Sequence, residues 1–259
     1  DPVLGDPAVD TADDYLGWMN HAVWAGDIPP SQARRLRARY LGSIAFIDDC
    51  IGQIIDAVEA RPDADNTLIC FFSDHGDHLG DHRAWQKESF FEASCRVPLL
   101  VSWPARLRAG GRFNGLAALT DLLGLVSAAS GPLELRDGHD LLGALRGETT
   151  PRDALVGMYG TPGTRLFKCM VRRDRWKYVW LANGGRELLF DLHADPDERR
   201  NLFAVQPAVA QALRTHAEAT LAAREFTRAA LDGPSLRALP FEPFPRRRIK
   251  QFARGVTNF

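Results

Sequence analysis

The feature that most constrains this chain is an apolar run that ends abruptly at a cluster of metal-binding residue types. Leu68-Ile69-Cys70-Phe71-Phe72 is short and unbroken, the pattern of a strand buried on both faces of a parallel sheet. The run stops at Ser73, and from Asp74 to His82 six of nine residues are Asp or His. In open α/β sheets ligands gather beyond the carboxyl ends of strands. Carboxylates and imidazoles placed there offer oxygen and nitrogen donors to a divalent cation. Asp, His and Gly also build ordinary strand-to-loop turns, where the carboxylate accepts backbone N–H groups, so both readings stand at this point. The sequence has no His-Glu-x-x-His, no Cys-x-x-Cys and no Asp ladder closed by a Glu, which removes zincin, zinc-ribbon and EF-hand readings.

Around this stretch the chain alternates helical and β-favouring segments. A short helix is expected from about Thr11 to Ala25, with Trp18 and Trp24 as packing residues. Pro29-Pro30-Ser31 reads as a break followed by a helix N-cap. From Gln32 to about Arg61, Leu36, Tyr40, Ile44, Ile47, Ile51, Ile54/Ile55 and Val58 recur at steps of three and four, giving one apolar face that stops at Pro62. Asp48 and Asp49 on that helix are solvated residues and not candidate ligands. Arg96 to Trp103 reads as a second short strand with Pro98 near its start. Ala117 to Ala129 is a helix closed by Gly131-Pro132.

The pattern changes from Ala154 onward. Leu155–Tyr159, Arg165–Val171, Trp176–Leu181 and Glu187–Asp191 are β-favouring runs separated by turn residues, the signature of antiparallel strands. An Ala-rich helix follows from Pro207 to about Glu225. The end of the chain, with Arg246-Arg247-Arg248, reads as an extended basic tail, either solvated or pairing with a neighbouring subunit as a candidate homo-oligomer contact.

Composition supplies exclusions. Lys plus Arg number 32 against 33 Asp plus Glu, so no overall field points to nucleic acid or an anionic membrane. No stretch of 18 uninterrupted apolar residues occurs, and the first residues are acidic. Cys50, Cys70, Cys95 and Cys169 are scattered, which argues against a disulfide framework and favours a reducing, cytoplasmic compartment. A periplasmic or secreted location stays open.

Ser73-Asp74-His75-Gly76-Asp77-His78-Leu79-Gly80-Asp81-His82, then Trp85-Gln86-Lys87, Phe91-Glu92 and Arg96-Val97-Pro98-Leu99-Leu100, resembles the sulfatase family of the alkaline phosphatase superfamily. The order and spacing are similar to the branch that holds choline sulfatases and phosphonate monoester hydrolases. Gly138-His139-Asp140-Leu141-Leu142 and Glu187–Leu192 with Asp195-Pro196-Asp197-Glu198 extend the resemblance toward the C-terminus. His139 reads as structural and not catalytic.

The resemblance implies an α/β fold: an alkaline phosphatase-like, mostly parallel sheet flanked by helices, with a smaller C-terminal α+β subdomain containing a short antiparallel sheet. The expected division is 1–150, 151–230 and a tail at 231–259. The implied activity is metal-dependent hydrolysis of a small-molecule sulfate ester, or of a phosphate or phosphonate ester. By position Asp74 and His75 would be metal ligands, with Ca2+ favoured over Mn2+ or Mg2+. Lys87 would be the catalytic residue that contacts the sulfuryl and leaving-group oxygens. His82 is a second candidate substrate contact, although the spacing of His78 and His82 also suits loop hydrogen bonds.

The family's nucleophile, a Cys or Ser in Cys/Ser-x-Pro-x-Arg that true sulfatases oxidise to formylglycine, has no counterpart. Cys95-Arg96-Val97-Pro98 has its Pro one place late, and Thr161-Pro162-Gly163-Thr164-Arg165 has it one place early. No strand ending in paired acids occurs in residues 1–31. Two protein ligands leave most of a hard cation's shell to water, so metal binding by this chain alone is expected to be weak. The chain therefore reads as the C-terminal portion of a longer enzyme, inactive by itself. Two other classes remain: a non-catalytic binding or scaffold module with the same fold, and an unrelated phosphohydrolase using the Asp/His loop alone.

Overall fold

The computed structural model describes residues 2–24 and 28–245, without the side chains of 21–24. In chain order the elements are α1 (Pro7–Asp10), α2 (Asp14–Trp24), α3 (Pro30–Glu59), β1 (Ile69–Phe72), α4 (Glu92–Cys95), β2 (Leu99–Ser102), α5 (Leu122–Ser130) and α6 (Leu141–Arg146). They are followed by β3 (Ala154–Tyr159), β4 (Lys168–Arg173), β5 (Trp176–Leu181), β6 (Arg186–Asp191), α7 (Pro207–Ala222), β7 (Leu231–Asp232) and β8 (Ser235–Leu236). They form two compact units. One comprises residues 1–34, 75–96 and 156–259, and the other comprises 35–74 and 97–155.

The helix expected from Gln32 starts two residues earlier, because Pro30 takes a first-turn position whose missing N–H costs nothing. Ser31 is therefore inside the helix and not its cap. In the second unit β1 and β2 pair antiparallel, with Cys70 opposite Val101 and Phe71 opposite Leu100. The parallel neighbours expected for β1 are not among the described residues. Nor is the strand buried on both faces: Phe71 and Phe72 remain 37% and 45% exposed. A continuous apolar run reads alike for either pairing, so only the neighbours decide its environment.

One face of this pair does reach a core. Trp103, Leu125, Leu141 and Leu142 form a buried cluster against which Leu68, Cys70, Leu99 and Val101 pack. The buried Asp121 carboxylate ties the unit together. It accepts from the Ala118 N–H at 2.8 Å, the His139 N–H at 2.7 Å and the Arg152 guanidinium at 2.6 Å. His139 Nε2 lies 2.8 Å from the Thr150 carbonyl, a structural placement.

The first unit is built on a four-stranded sheet ordered β3-β4-β5-β6. β4–β5 and β5–β6 are antiparallel, at the runs expected from their alternation with turn residues. The β5–β6 connection uses Gly184 and Gly185 at φ 85° and 60°, backbone that only glycine enters without strain. α7 buries Ala210, Leu213, Ala217 and Leu221, one stripe at helical spacing. The sheet face toward α7 holds Cys169, Val171, Tyr178 and Leu189, while the buried Phe190, paired with Lys177, lies on the opposite face beside Phe91. All four cysteines are free. The Arg246-Arg247-Arg248 run lies outside the described residues.

Candidate active site

β1 ends at Phe72 and delivers Asp74, whose side chain is exposed, to the start of the loop. From His75 onward the loop belongs to the first unit. Its backbone is unusual: Leu79, Gly80, His82, Arg83 and Gln86 all have φ between 50° and 98°. Four of these are not glycine, and each such residue costs roughly 1 kcal/mol or more. Strain of this kind persists only where surrounding contacts over-determine it.

Four of the six Asp and His side chains supply those contacts. Asp77 Oδ1 accepts from the N–H groups of Leu79 at 2.9 Å and Gln86 at 3.1 Å. Asp81 Oδ1 accepts from the Val3 N–H at 2.7 Å. His78 is fully buried, with Nδ1 3.1 Å from the Asp81 carbonyl and Nε2 2.7 Å from Ser89 Oγ. The ring can donate from Nδ1 and accept the serine hydroxyl at Nε2.

His82 has Nδ1 3.0 Å from the buried Asp10 carboxylate and Nε2 3.0 Å from the Asp197 carbonyl, and it stacks on Phe91 at 3.9 Å. As a candidate substrate contact, His82 is therefore placed differently from the expectation: it is buried and both its nitrogens are engaged by the protein. The turn reading suits these four residues, which bend the loop and hold it.

Gly76 is fixed by packing. Its N–H donates to the Ser94 carbonyl at 2.8 Å, and a Cβ there would sit 2.1 Å from the Ala93 carbonyl oxygen. The same turn of chain that holds Gly76 also sets Lys87, because Ser94 Oγ donates to the Lys87 carbonyl.

The two remaining candidates of the first unit meet. Lys87 Nζ lies 2.6 Å from His75 Nε2, across twelve residues of sequence. His75 Nδ1 lies 2.8 Å from the Gly76 carbonyl oxygen. A carbonyl only accepts, so Nδ1 carries the proton and the Nε2 lone pair faces the ammonium. A backbone acceptor on one ring nitrogen, with the other left as a donor of electrons, is the arrangement that orients a metal-binding imidazole. Asp10, Ser89 and Ser94, which support this geometry, carry no sequence signal that singles them out. Among the described residues no group of three or more His, Cys, Asp or Glu gathers as a complete ligand set. A separate cavity of about 710 Å³ in the first unit is lined by Asp10, Asn20, Arg34, His82 and Trp85, but neither His75 nor Lys87 reaches it.

The burial of His78 has a measurable consequence. Enclosure, and then the nearby His82, push its pKa down to about 4. In the unfolded chain the ordinary value is about 6.5. Between those limits the unfolded chain binds a proton that the folded chain refuses. This contribution to stability is therefore complete above about pH 6.5 and is lost as pH falls toward 4, on the order of 3 kcal/mol in all. Urea midpoints measured from pH 7.5 to 4.5 should fall more steeply for the parent chain than for His78→Gln. Equal slopes would rule this out.

Comparison with known proteins decides the family. The model described as N-sulphoglucosamine sulphohydrolase, C-terminal, matches residues 80–224, more than half of the chain, and the Sulfatase model matches residues 8–130. The chain belongs to the sulfatase family. Choline-sulfatase of Rhizobium meliloti is 34% identical over 181 residues, covering 68% of this sulfatase-family chain and 35% of the relative. The crystal structure of a phosphonate monoester hydrolase of Agrobacterium radiobacter is 31% identical with a TM-score of 0.61, covering 72% of this chain and 40% of that one. A phosphonate monoester hydrolase from Silicibacter pomeroyi has a TM-score of 0.70 at 23% identity over 92% of this chain and 54% of its own, which shows the shared fold. The fold is thus that of alkaline phosphatase-like sulfatases, here a mixture of helices and small antiparallel sheets. The chain spans between a third and half of the length of the curated relatives it matches. No helix among the described residues is long and apolar enough to cross a membrane.

Proposed function

We propose that this chain carries part of the active site of a metal-dependent sulfuric-ester hydrolase. In this reading Asp74 and His75 hold a divalent cation and Lys87 binds the sulfuryl group. The observation that supports it best is the 2.6 Å approach of Lys87 Nζ to a His75 Nε2 whose tautomer is set by the Gly76 carbonyl. That nitrogen lone pair already faces a positive charge, so the donor chemistry fits a cation. Asp74 adds a hard oxygen donor, consistent with Ca2+ and also with Mn2+ or Mg2+. Two residues fill only part of such a shell, so the remaining ligands and the nucleophile would come from elsewhere in the complete enzyme. The ion would supply Lewis-acid polarisation of an ester oxygen.

The chain's own contribution is positioning and charge. Asp77, His78 and Ser94 hold the loop and the Lys87 backbone in register with His75. The Lys87 ammonium, on the exposed side of that loop, donates to the negative charge that develops on sulfuryl and leaving-group oxygens. Hydrolysis of a phosphonate monoester or phosphate diester is the second reading, favoured by the 31% identity to the Agrobacterium radiobacter enzyme. Turnover of an aryl sulfate against an aryl phosphonate by the complete enzyme tests the choice. The sulfatase reading expects the larger kcat/KM for the sulfate, and a reversed ratio would assign the phosphonate activity.

A further inference from the structure

We propose that Lys168 is a positioning residue for Lys87: its buried ammonium grips the Glu88 carbonyl and so fixes the backbone from which Lys87 reaches His75. The proposal rests on the reading of Lys87 as the sulfuryl-binding group and adds the residue that aims it.

Lys168 opens β4 and is 2% exposed. It pairs with Leu181 on β5, which places it on the same face of the sheet as Lys177. Both lysines direct their ammonium groups at one short segment. Lys168 Nζ donates to the Glu88 carbonyl, and Lys177 Nζ donates to the Phe90 carbonyl at 2.7 Å. Between them Ser89 Oγ lies 2.7 Å from His78 Nε2, and the Lys87 carbonyl accepts from Ser94 Oγ. Each of the four residues from 87 to 90 is thus tied by a side chain from outside the segment.

Solvation alone does not call for these ties. Lys87 is exposed and residues 88–90 are half-buried, so water could serve their carbonyls. A buried ammonium in place of water gives a charge-assisted bond with a fixed direction.

The other sides of the Lys168 ammonium are also occupied. It donates to the Asp13 carboxylate and lies 4.8 Å and 5.6 Å from the ring centroids of Tyr159 and Tyr15. Asp13 accepts as well from the N–H groups of Tyr15 at 3.2 Å and Leu16 at 3.3 Å. Those bonds survive loss of the lysine, and the backbone group that its loss releases is the Glu88 carbonyl. A buried ion pair adds little net stability over apolar side chains of the same size, so the distinct product of Lys168 is placement. Lys87 has a flexible four-carbon stem, and its aim depends on where its backbone is held.

In this chain alone, Lys168→Met should speed amide exchange about tenfold at Ser89, whose N–H shares a peptide group with the Glu88 carbonyl, and leave the β5 amides unchanged. In the complete enzyme it should lower kcat/KM by about tenfold to a hundredfold, the effect of a small misplacement. Leu213→Ala truncates the core on α7, across the sheet from Lys168, and controls for stability. It should leave the kcat/KM of the folded enzyme unaltered. Because Lys168 acts through Lys87, adding Lys168→Met to Lys87→Ala should cost less than about a further twofold. Lys168→Gln, shorter and uncharged, carries the same cycle if Lys168→Met does not fold. Unaltered exchange at Ser89, or full additivity of the two changes, would overturn the proposal. A harmless Lys168→Met beside a damaging Lys87→Ala overturns it alone, whereas a harmless Lys87→Ala overturns the sulfuryl-binding reading with it.

Discussion

Replacing Lys177 with alanine is expected to destabilise the chain by about 3–5 kcal/mol, the range seen when one partner of a buried ion pair is removed. Lys177 lies on β5 with its side chain enclosed. Its Nζ is 2.7 Å from Glu198 Oε1, 2.6 Å from Glu92 Oε1 and 2.7 Å from the Phe90 carbonyl. Burial alone would favour loss of the proton, but the carboxylates around it, Glu198 foremost, keep the ammonium charged and raise its pKa. Without that ammonium the buried Glu198 carboxylate keeps, among the described residues, the Glu92 N–H as its donor. Urea unfolding measures the loss. Lys177→Met combined with Glu198→Leu should lose less than the sum of the single changes, because the buried Glu198 charge is then not left stranded and the remaining Glu92 carboxylate is partly exposed to water. A loss below about 1 kcal/mol for Lys177→Ala would show that solvent reaches the site. The cluster also matters to chemistry, since Phe90 and Glu92 follow directly on the segment that carries Lys87.

The second large effect concerns activity. In the complete enzyme Lys87→Ala should reduce kcat/KM by about 10²–10³-fold, the usual result of removing one donor to developing charge. Its stability should change by no more than about 0.5 kcal/mol, because the side chain is exposed and away from the core. Lys87→Arg should recover only part of the loss, since the planar guanidinium does not reproduce a compact ammonium. Comparable losses of activity and stability would instead assign Lys87 a packing role.

The parts of this molecule that could be read from the sequence are those set by local pattern. The strands at 154–191 and the stripe on α3 follow from periodicity, and the pairing of His75 with Lys87 agrees with their order in the family resemblance. Long-range partners were not legible in the same way. Nothing in the spacing of Asp74 to His82 separates a ligand from a loop brace. Asp81 and His82 are braces because Val3, Asp10 and Asp197, all remote in sequence, face them, while Asp77 and His78 are held by the nearer Leu79, Gln86 and Ser89. The antiparallel pairing of β1 was hidden for the same reason, as an apolar run does not record the direction of its neighbour. The Lys177 cluster was missed because a buried lysine in a strand looks like any edge residue until Glu92 and Glu198 are brought beside it.

The most direct test of the metal-site reading is the position of Mn2+ in crystals of the complete enzyme, located by its anomalous scattering. The account expects the ion about 2.0–2.5 Å from His75 Nε2 and from the Asp74 carboxylate, with Lys87 Nζ moved off the imidazole toward the substrate side. An ion held wholly by other residues, with Lys87 still hydrogen-bonded to His75, would contradict it.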